Sequence, residues 1–168
     1  MNQNIKIWIW FFALFVSRGV FGQDQEKRLN LVLLIDNDIP TPDVISKAFF
    51  LIQDSAENVR DTLPFLYGVG GLVLTGENYN KLFKFSPGSQ IYINFHYYQW
   101  NKHEGSQDFN YKQKLSARCI NEWYTILKIH NYSLRESRKE YTSNGDGFAV
   151  QISYPGGGIV SGVLPKQQ

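Results

Sequence analysis

The chain has 168 residues, of which 43% are hydrophobic, 15% aromatic and 19% charged, with a formal net charge of +2. This length is enough for one domain whose hydrophobic core needs no disulfides. The near-neutral charge offers no basic footprint for nucleic acid or anionic lipid, so we expect neither as a partner.

Residues 1–22 have the pattern of a signal peptide. The apolar run Ile7–Val16 is too short to span a bilayer. Val20 and Gly22 are small enough for the recognition positions of signal peptidase, which predicts cleavage near Gly22/Gln23 and a secreted or periplasmic protein. An uncleaved membrane anchor is the alternative.

The mature domain, residues 23–168, is predicted to be electrically neutral. Loss of Lys6 and Arg18 reduces 17 basic residues to 15, equal to the 15 acidic residues. The single cysteine, Cys119, lies far from the cleavage site, so no lipid anchor is expected. It has no partner for an internal disulfide and is interpreted as a small buried hydrophobe.

The first half of the mature chain contains two predicted strands. Leu29–Ile35 is a buried strand that ends in the turn Asp36-Asn37-Asp38, and Lys47–Gln53 is apolar on both faces, as a central strand would be. Asp54–Pro64 is polar, has a possible N-cap and predicts a short helical turn. The glycine-rich segment Phe65–Gly71 predicts flexible backbone beside a strand.

The next segment predicts a β-hairpin. Its runs Lys81–Phe85 and Gln90–Trp100 flank Ser86–Ser89, where Pro87 and Gly88 suit a turn. Side chains alternate across a strand, so the longer run has two faces. The face expected in the core carries Ile91, Ile93, Phe95 and Tyr97. The opposite face carries Tyr92, Asn94, His96, Tyr98 and Trp100.

The second half of the chain begins with a predicted polar loop, Asn101–Asn110. For Tyr111–Trp123 the pattern fits both a helix and a strand. The Asn-Gly and Asp-Gly pairs within 144–147 predict a hairpin turn. The remaining expectations are a strand at Tyr124–His130, a charged solvated segment at Leu134–Tyr141, and strands at Phe148–Tyr154 and Ile159–Leu164.

The motifs around the hairpin resemble those of transthyretin-like sandwiches, including carboxypeptidase regulatory-like domains. The matching residues are Thr75-Gly76-Glu77, Leu82-Phe83-Lys84-Phe85, Pro87-Gly88 and Tyr92–Tyr98. With the strand pattern, the resemblance implies an all-β fold. We expect a single β-sandwich, transthyretin-like or immunoglobulin-like, of about seven to nine strands with at most one or two short helices.

The sequence contains no strong metal-binding or catalytic pattern. The three histidines, His96, His103 and His130, lack the spacing of metal ligands. Asp36-Asn37-Asp38 is more typical of a turn than of a calcium site. No GxSxG or HExxH motif is present, and Cys119 has no local activating pattern. We expect no catalysis, no metal and no cofactor.

The sequence therefore favours a non-catalytic binding or structural module of an extracellular or periplasmic assembly in the cell envelope, with another protein as partner. Aromatic rings beside amide and imidazole groups anchor protein partners or stack on sugars. The candidate binding residues are Tyr92, Asn94, His96, Tyr98 and Trp100. A carbohydrate-binding module that uses this face is the alternative, and a hydrolase is a third hypothesis. A further possibility is that a second layer covers the face and makes it core.

Overall fold

The computed structural model describes residues 25–86, 88–101, 105–131 and 148–161. Within these ranges, 11 strands form three sheets, accompanied by two short α-helices and one 3-10 turn. The predicted all-β class is confirmed, as is the small number of helices. The prediction of a single sandwich with about seven to nine strands is wrong, because the strands are more numerous and are divided among three sheets.

The elements follow one another closely along the chain. The strands are β1 (Lys27–Leu29), β2 (Leu31–Ile35), β3 (Ile45–Gln53), β4 (Val59–Pro64), β5 (Leu66–Gly68), β6 (Gly71–Leu74), β7 (Gln90–Asn101), β8 (Gly105–Leu115), β9 (Thr125–Asn131), β10 (Phe148–Tyr154) and β11 (Gly157–Ser161). The helices are α1 (Gly76–Phe83) and α2 (Ala117–Asn121), and the 3-10 turn is Pro42–Val44.

The first sheet has the strand order β1-β6-β5, the second β11-β10-β9-β2, and the third β4-β3-β7-β8. Neighbouring strands are antiparallel except β2 and β9, which run parallel. Only Asn30 separates β1 from β2, so the chain passes directly from the first sheet into the second. The two N-terminal strands therefore belong to different sheets, β1 to the first and β2 to the second.

The hydrophobic core includes one face of the third sheet. Ile93 and Phe95 of β7 are fully buried, as the alternation in the sequence predicted. They belong to one cluster with Leu33 of β2 and with Leu127 and Ile129 of β9, both in the second sheet. The opposite face of the third sheet therefore carries the candidate binding residues.

The predicted hairpin at Lys81–Phe85 is wrong. Helix α1 occupies Gly76–Phe83, where Thr75 Oγ1 accepts a hydrogen bond from Asn78 N at 3.2 Å and caps the first turn. The longer strand, Gln90–Trp100, is confirmed as β7, but it pairs with β3 and β8 instead of with the preceding segment. Local alternation over five residues is too short to separate strand from helix.

Two further local predictions are wrong. The polar segment Asp54–Pro64 forms a turn followed by strand β4 instead of a helical turn, and most of the predicted loop Asn101–Asn110 is the start of β8. Tyr111–Trp123 contains both competing structures, because β8 continues to Leu115 and α2 follows. Both β4 and β8 pair with the strand that precedes them in the chain, β3 and β7 respectively. Their exposed polar side chains give these strands the local composition of a turn or loop.

The other strand predictions agree with the structure. Leu29–Ile35, Lys47–Gln53, Tyr124–His130 and Phe148–Tyr154 are strand over most of their length. The last predicted strand is present as β11 from Gly157, after a tight turn in which Gly156 has φ 77°. Residues 1–22, His103 and the segments Leu134–Tyr141 and 144–147 lie outside the described residues.

Candidate functional site

The candidate site is the solvent-facing surface of the third sheet, which we call the outer face. It is defined by Tyr92, Asn94, His96, Tyr98 and Trp100 of β7 with Asp108, Asn110 and Lys112 of the neighbouring β8. The paired residues of two antiparallel strands point to the same side, so the register places all eight side chains on one surface. The structure therefore brings all five predicted residues together.

Exposure changes along the outer face. Trp100 is 67% exposed and Tyr98 is 46% exposed, whereas Asn94 is only 7% exposed. Tyr92 and His96 are half-buried. The face is thus open at its Trp100 end and closed around Asn94, so neither alternative, full exposure or full coverage, describes it completely.

Two contacts hold Tyr92 in place. Its hydroxyl donates a hydrogen bond to Gln90 Oε1 at 2.7 Å, and Lys112 Nζ lies 4.7 Å from the centroid of its ring. A cation above a ring is attracted by the negative face of the π system. Tyr92 is therefore anchored by its neighbours, while Tyr98 and Trp100 present their rings to solvent.

His96 contacts the acidic residue of the outer face. Its Nδ1 lies 3.4 Å from Asp108 Oδ2, and Asp108 is directly opposite Tyr98 in the register. The Asp108 side chain is 62% exposed. Both an imidazole and a carboxylate thus border the exposed rings and provide hydrogen-bonding groups for a ligand.

Asn94 carries an unsatisfied donor. It lies between Phe49 of β3 and Lys112 of β8, and no acceptor among the described residues reaches its Nδ2. A buried donor that lacks an acceptor costs about 1 to 3 kcal/mol. Because this atom is buried, Asn94 belongs to the closed part of the outer face and is not accessible to a ligand.

The described residues contain no group of three histidine, cysteine, aspartate or glutamate side chains able to hold a metal ion. His96 and His130 lie in different sheets, the third and the second. Cys119 is buried in α2, where its Sγ lies 3.0 Å from Ser116 Oγ. The outer face itself offers stacking, hydrogen bonding and charge pairing.

The structure also shows an open cavity of about 450 Å³ that the sequence did not indicate. It lies between the β3–β4 turn and the residues after α1. Two of its cationic side chains form ion pairs: Arg60 with Asp54 at 2.7 Å, and Lys81 with Glu77 at 2.8 Å. No local pattern could have revealed it, because its two walls come from separate elements.

The predicted turn at Asp36-Asn37-Asp38 has a structural role. Asp36 and Asn37 have positive φ values of 52° and 73°, and Asp36 Oδ1 accepts a hydrogen bond from Asn131 N at 2.7 Å. This hydrogen bond joins the ends of β2 and β9, which are far apart in sequence.

Asp36 also influences Tyr111. Burial raises the pKa of the Tyr111 hydroxyl well above its usual range, and the negative charge of Asp36 raises it further.

Comparisons with protein-family models, with curated proteins and with solved structures find no match. The resemblance to transthyretin-like sandwiches accordingly stays a prediction carried by its motif residues. Within the described ranges, no helix combines the length and apolarity needed to cross a membrane. The outer face is therefore the candidate site that the described residues support best.

Proposed function

We propose that the protein is an exported, non-catalytic binding module that holds a partner protein of the cell envelope or extracellular space on its outer face. The observation that carries this proposal is the exposure of Tyr98 and Trp100 on a strand whose other side is core. Exposed aromatic rings on a rigid support are typical of binding hot spots, because they bury much area and lose little conformational entropy.

The position of these rings within the sheet supports binding. β7 is an interior strand with β3 on one side and β8 on the other. Its backbone pairs with both neighbours up to Tyr97 and with β8 alone from Tyr98 to Asn101. A partner would therefore meet rings on a strand whose backbone is already paired along at least one edge. Preorganisation lowers the entropic cost of association.

The polarity of the outer face supports a specific partner instead of general hydrophobic adhesion. His96 and Asp108 lie beside the exposed rings, and the Asp108 side chain is itself exposed. Such groups reward a ligand that places an acceptor or donor at the right point and penalise one that leaves them unpaired. A peptide that places a hydrogen-bonding group beside His96 and Asp108 would meet this requirement.

A glycan is the second candidate, because the same surface alternates flat rings with amide, imidazole and carboxylate groups. Sugar rings stack on aromatic side chains, and their hydroxyls both donate and accept hydrogen bonds. Binding to a glycan array, with no captured protein, would favour this alternative.

The test compares ring deletions on and off the outer face. Tyr98→Ala and Trp100→Ala are expected to weaken binding of the partner captured by the wild-type protein by about 2 kcal/mol each. Trp123→Ala is the matched control, because Trp123 is 72% exposed and lies outside the outer face. Binding is measured by calorimetry, and thermal unfolding is recorded for the same variants.

The proposal predicts that binding falls for the two outer-face variants while their melting temperatures and the binding of Trp123→Ala stay unchanged. Equal binding by Trp100→Ala and wild type would place the binding surface elsewhere. Loss of both binding and stability would assign Tyr98 and Trp100 a structural role.

A further inference from the structure

Strand β8 is at the edge of the third sheet and pairs with β7 along one side. Within the described ranges, no strand pairs with its other side. An open edge presents unpaired backbone N–H and C=O groups and is a template for another strand. β8 has 11 residues, contains no proline and keeps an unbroken register with β7. It therefore lacks the shortening, proline and bulge that block many edges, and of the common devices it carries only charged side chains, Asp108, Lys112 and Lys114.

The sequence of β8, GSQDFNYKQKL, is charge-complementary to itself about its midpoint, Asn110. In an antiparallel pair of two copies with Asn110 opposite Asn110, the strands overlap over their full length. Asp108 of each copy then lies opposite Lys112 of the other, and Phe109 lies opposite Tyr111. Directly opposed charges of opposite sign stabilise a pair of strands. The Tyr111 ring is fully buried in its own chain, so the charge pairs carry the attraction.

This register also preserves the two faces of the sheet. Asp108 and Lys112 belong to the outer face, whereas Phe109 and Tyr111 pack with the core. A shift by one residue would turn the outer face of one copy toward the core side of the other. A shift that places two Phe109 residues opposite each other would leave Asp108 facing Asn110.

One other register retains an attraction. With Tyr111 opposite Tyr111, Asp108 would face Lys114, but Phe109 would face Gln113 and the overlap would be shorter. The register centred on Asn110 combines the longest overlap with the two Asp108–Lys112 charge pairs.

The charged side chains are available for this pairing. Asp108 contacts His96 of its own chain at 3.4 Å, but its side chain remains 62% exposed. Lys112 lies above the ring of Tyr92 and is also exposed. Both residues already lie on the outer face, so the charges of a second copy would meet them at the edge.

We propose that two copies of this chain associate through β8, antiparallel and centred on Asn110, so that their third sheets join edge to edge. The association places the two outer faces side by side on the same surface. It does not depend on the nature of the partner that the outer face binds.

The first test uses charge reversal in the chain that lacks only the proposed leader, residues 1–22, with dimerisation measured by sedimentation equilibrium. Asp108→Lys or Lys112→Asp alone creates two like-charged pairs in the symmetric dimer, one for each copy. Each single variant is expected to weaken the dimer roughly tenfold. The double variant restores opposite charges and is expected to recover the wild-type dissociation constant. Glu26→Lys, an exposed reversal outside the sheet, is the control with no expected change.

The second test reads the register by cross-linking. Residues facing each other across antiparallel strands have Cα atoms about 4.5 to 5.5 Å apart, which suits a disulfide. In a Cys119→Ser background, which removes the single native cysteine, Asn110→Cys is expected to form a covalent dimer on oxidation. Ser106→Cys is the matched control, because residue 106 would face Lys114 of the other copy.

The proposal is overturned by a wild-type chain that stays monomeric at all accessible concentrations, which is also the result expected if another segment of the same chain covers β8. It is equally overturned by a dimer that is unaffected by Asp108→Lys, or that cross-links as well through residue 106 as through residue 110. Circular dichroism of each variant establishes that the fold is retained.

Discussion

Phe95 and Trp100 are on the same strand but on opposite faces of the sheet. Phe95 is fully buried, and its ring centroid lies 5.3 Å from that of Tyr111, whereas Trp100 is 67% exposed. The alternation of side chains along β7 thus separates a residue that stabilises the fold from one that is available for binding.

Replacement of Phe95 by alanine tests this separation. We expect Phe95→Ala to lower the free energy of unfolding by about 3 to 5 kcal/mol, since the deletion removes buried area and leaves a cavity. Trp100→Ala, on the same strand, is expected to change it by less than about 0.5 kcal/mol. Denaturant unfolding measures both, and similar losses for the two variants would contradict the assignment of faces.

Asp54 illustrates how one carboxylate organises a turn. It accepts hydrogen bonds from Asn58 N and Ala56 N, both at 2.9 Å, and forms an ion pair with Arg60. These contacts, with the Asn58 hydrogen bond first, hold the pKa of Asp54 below its ordinary value of 3.8. A carboxylate stabilised in the folded state contributes stability only while it is ionised.

The lowered pKa of Asp54 predicts how its contribution to stability changes with pH. Because the folded pKa is lower than the unfolded one, the contribution of Asp54 is present above about pH 4 and is lost as the pH falls through the folded value. The difference in stability between wild type and Asp54→Asn should therefore be largest near neutral pH and shrink in acid. Unfolding curves recorded across this range measure it, and a difference independent of pH would exclude the ionised carboxylate as the cause.

Among the elements, α1 shows most clearly where local sequence was insufficient. Leu82 is fully buried, and Glu77 pairs with Lys81 one turn later at 2.8 Å. The same residues, taken with Phe83 and Phe85, alternate as a short strand would. The N-cap at Thr75 and the burial of Leu82 stabilise the helix relative to a strand.

The cap provides the prediction for this element. Thr75→Ala removes the oxygen that accepts the Asn78 N–H and is expected to cost about 1 kcal/mol of stability. Thr75→Ser retains the oxygen and serves as the control, with a much smaller loss. Equal losses for the serine and alanine variants would mean that the methyl group, and not the cap, is responsible.

β7 could be predicted from sequence because its alternating pattern is local and long. Its pairing with β3 could not, since β3 ends 37 residues before β7 begins and no local pattern joins the two. β8 is a local partner that begins four residues after β7 ends, but its polar composition concealed the strand. The sequence predicts a loop at Asp108 and Asn110 because these outward-facing residues are polar. Phe109, the one apolar residue between them, does not by itself establish the alternation of a strand. The candidate site was thus predictable residue by residue, but the burial of Asn94 depends on neighbouring strands that no local pattern specifies.

At the scale of the molecule, the N-terminal strands are integrated into the C-terminal half. β2 runs parallel to β9, with Leu31 opposite Thr125, and Thr125 N donates to Asn30 O at 2.8 Å. Parallel pairing over such a separation requires a long crossover connection. The described fold therefore depends on residues close to its beginning, and any processing of the chain has to stop before β1.

The proposed cleavage after Gly22 satisfies this condition, because β1 begins at Lys27 and no described strand would be removed. We expect mass spectrometry of the exported protein to find an N-terminus at or near Gln23. Gly22→Phe, which places a bulky side chain where signal peptidase requires a small one, should retain residues 1–22. Phe21→Ala is the control, since the intervening position has no such size requirement, and its product should match the wild type. An intact Met1 on wild-type protein in the cytosol would contradict both the leader and the exported location, whereas cleavage of Gly22→Phe at the same bond would contradict the assigned site alone.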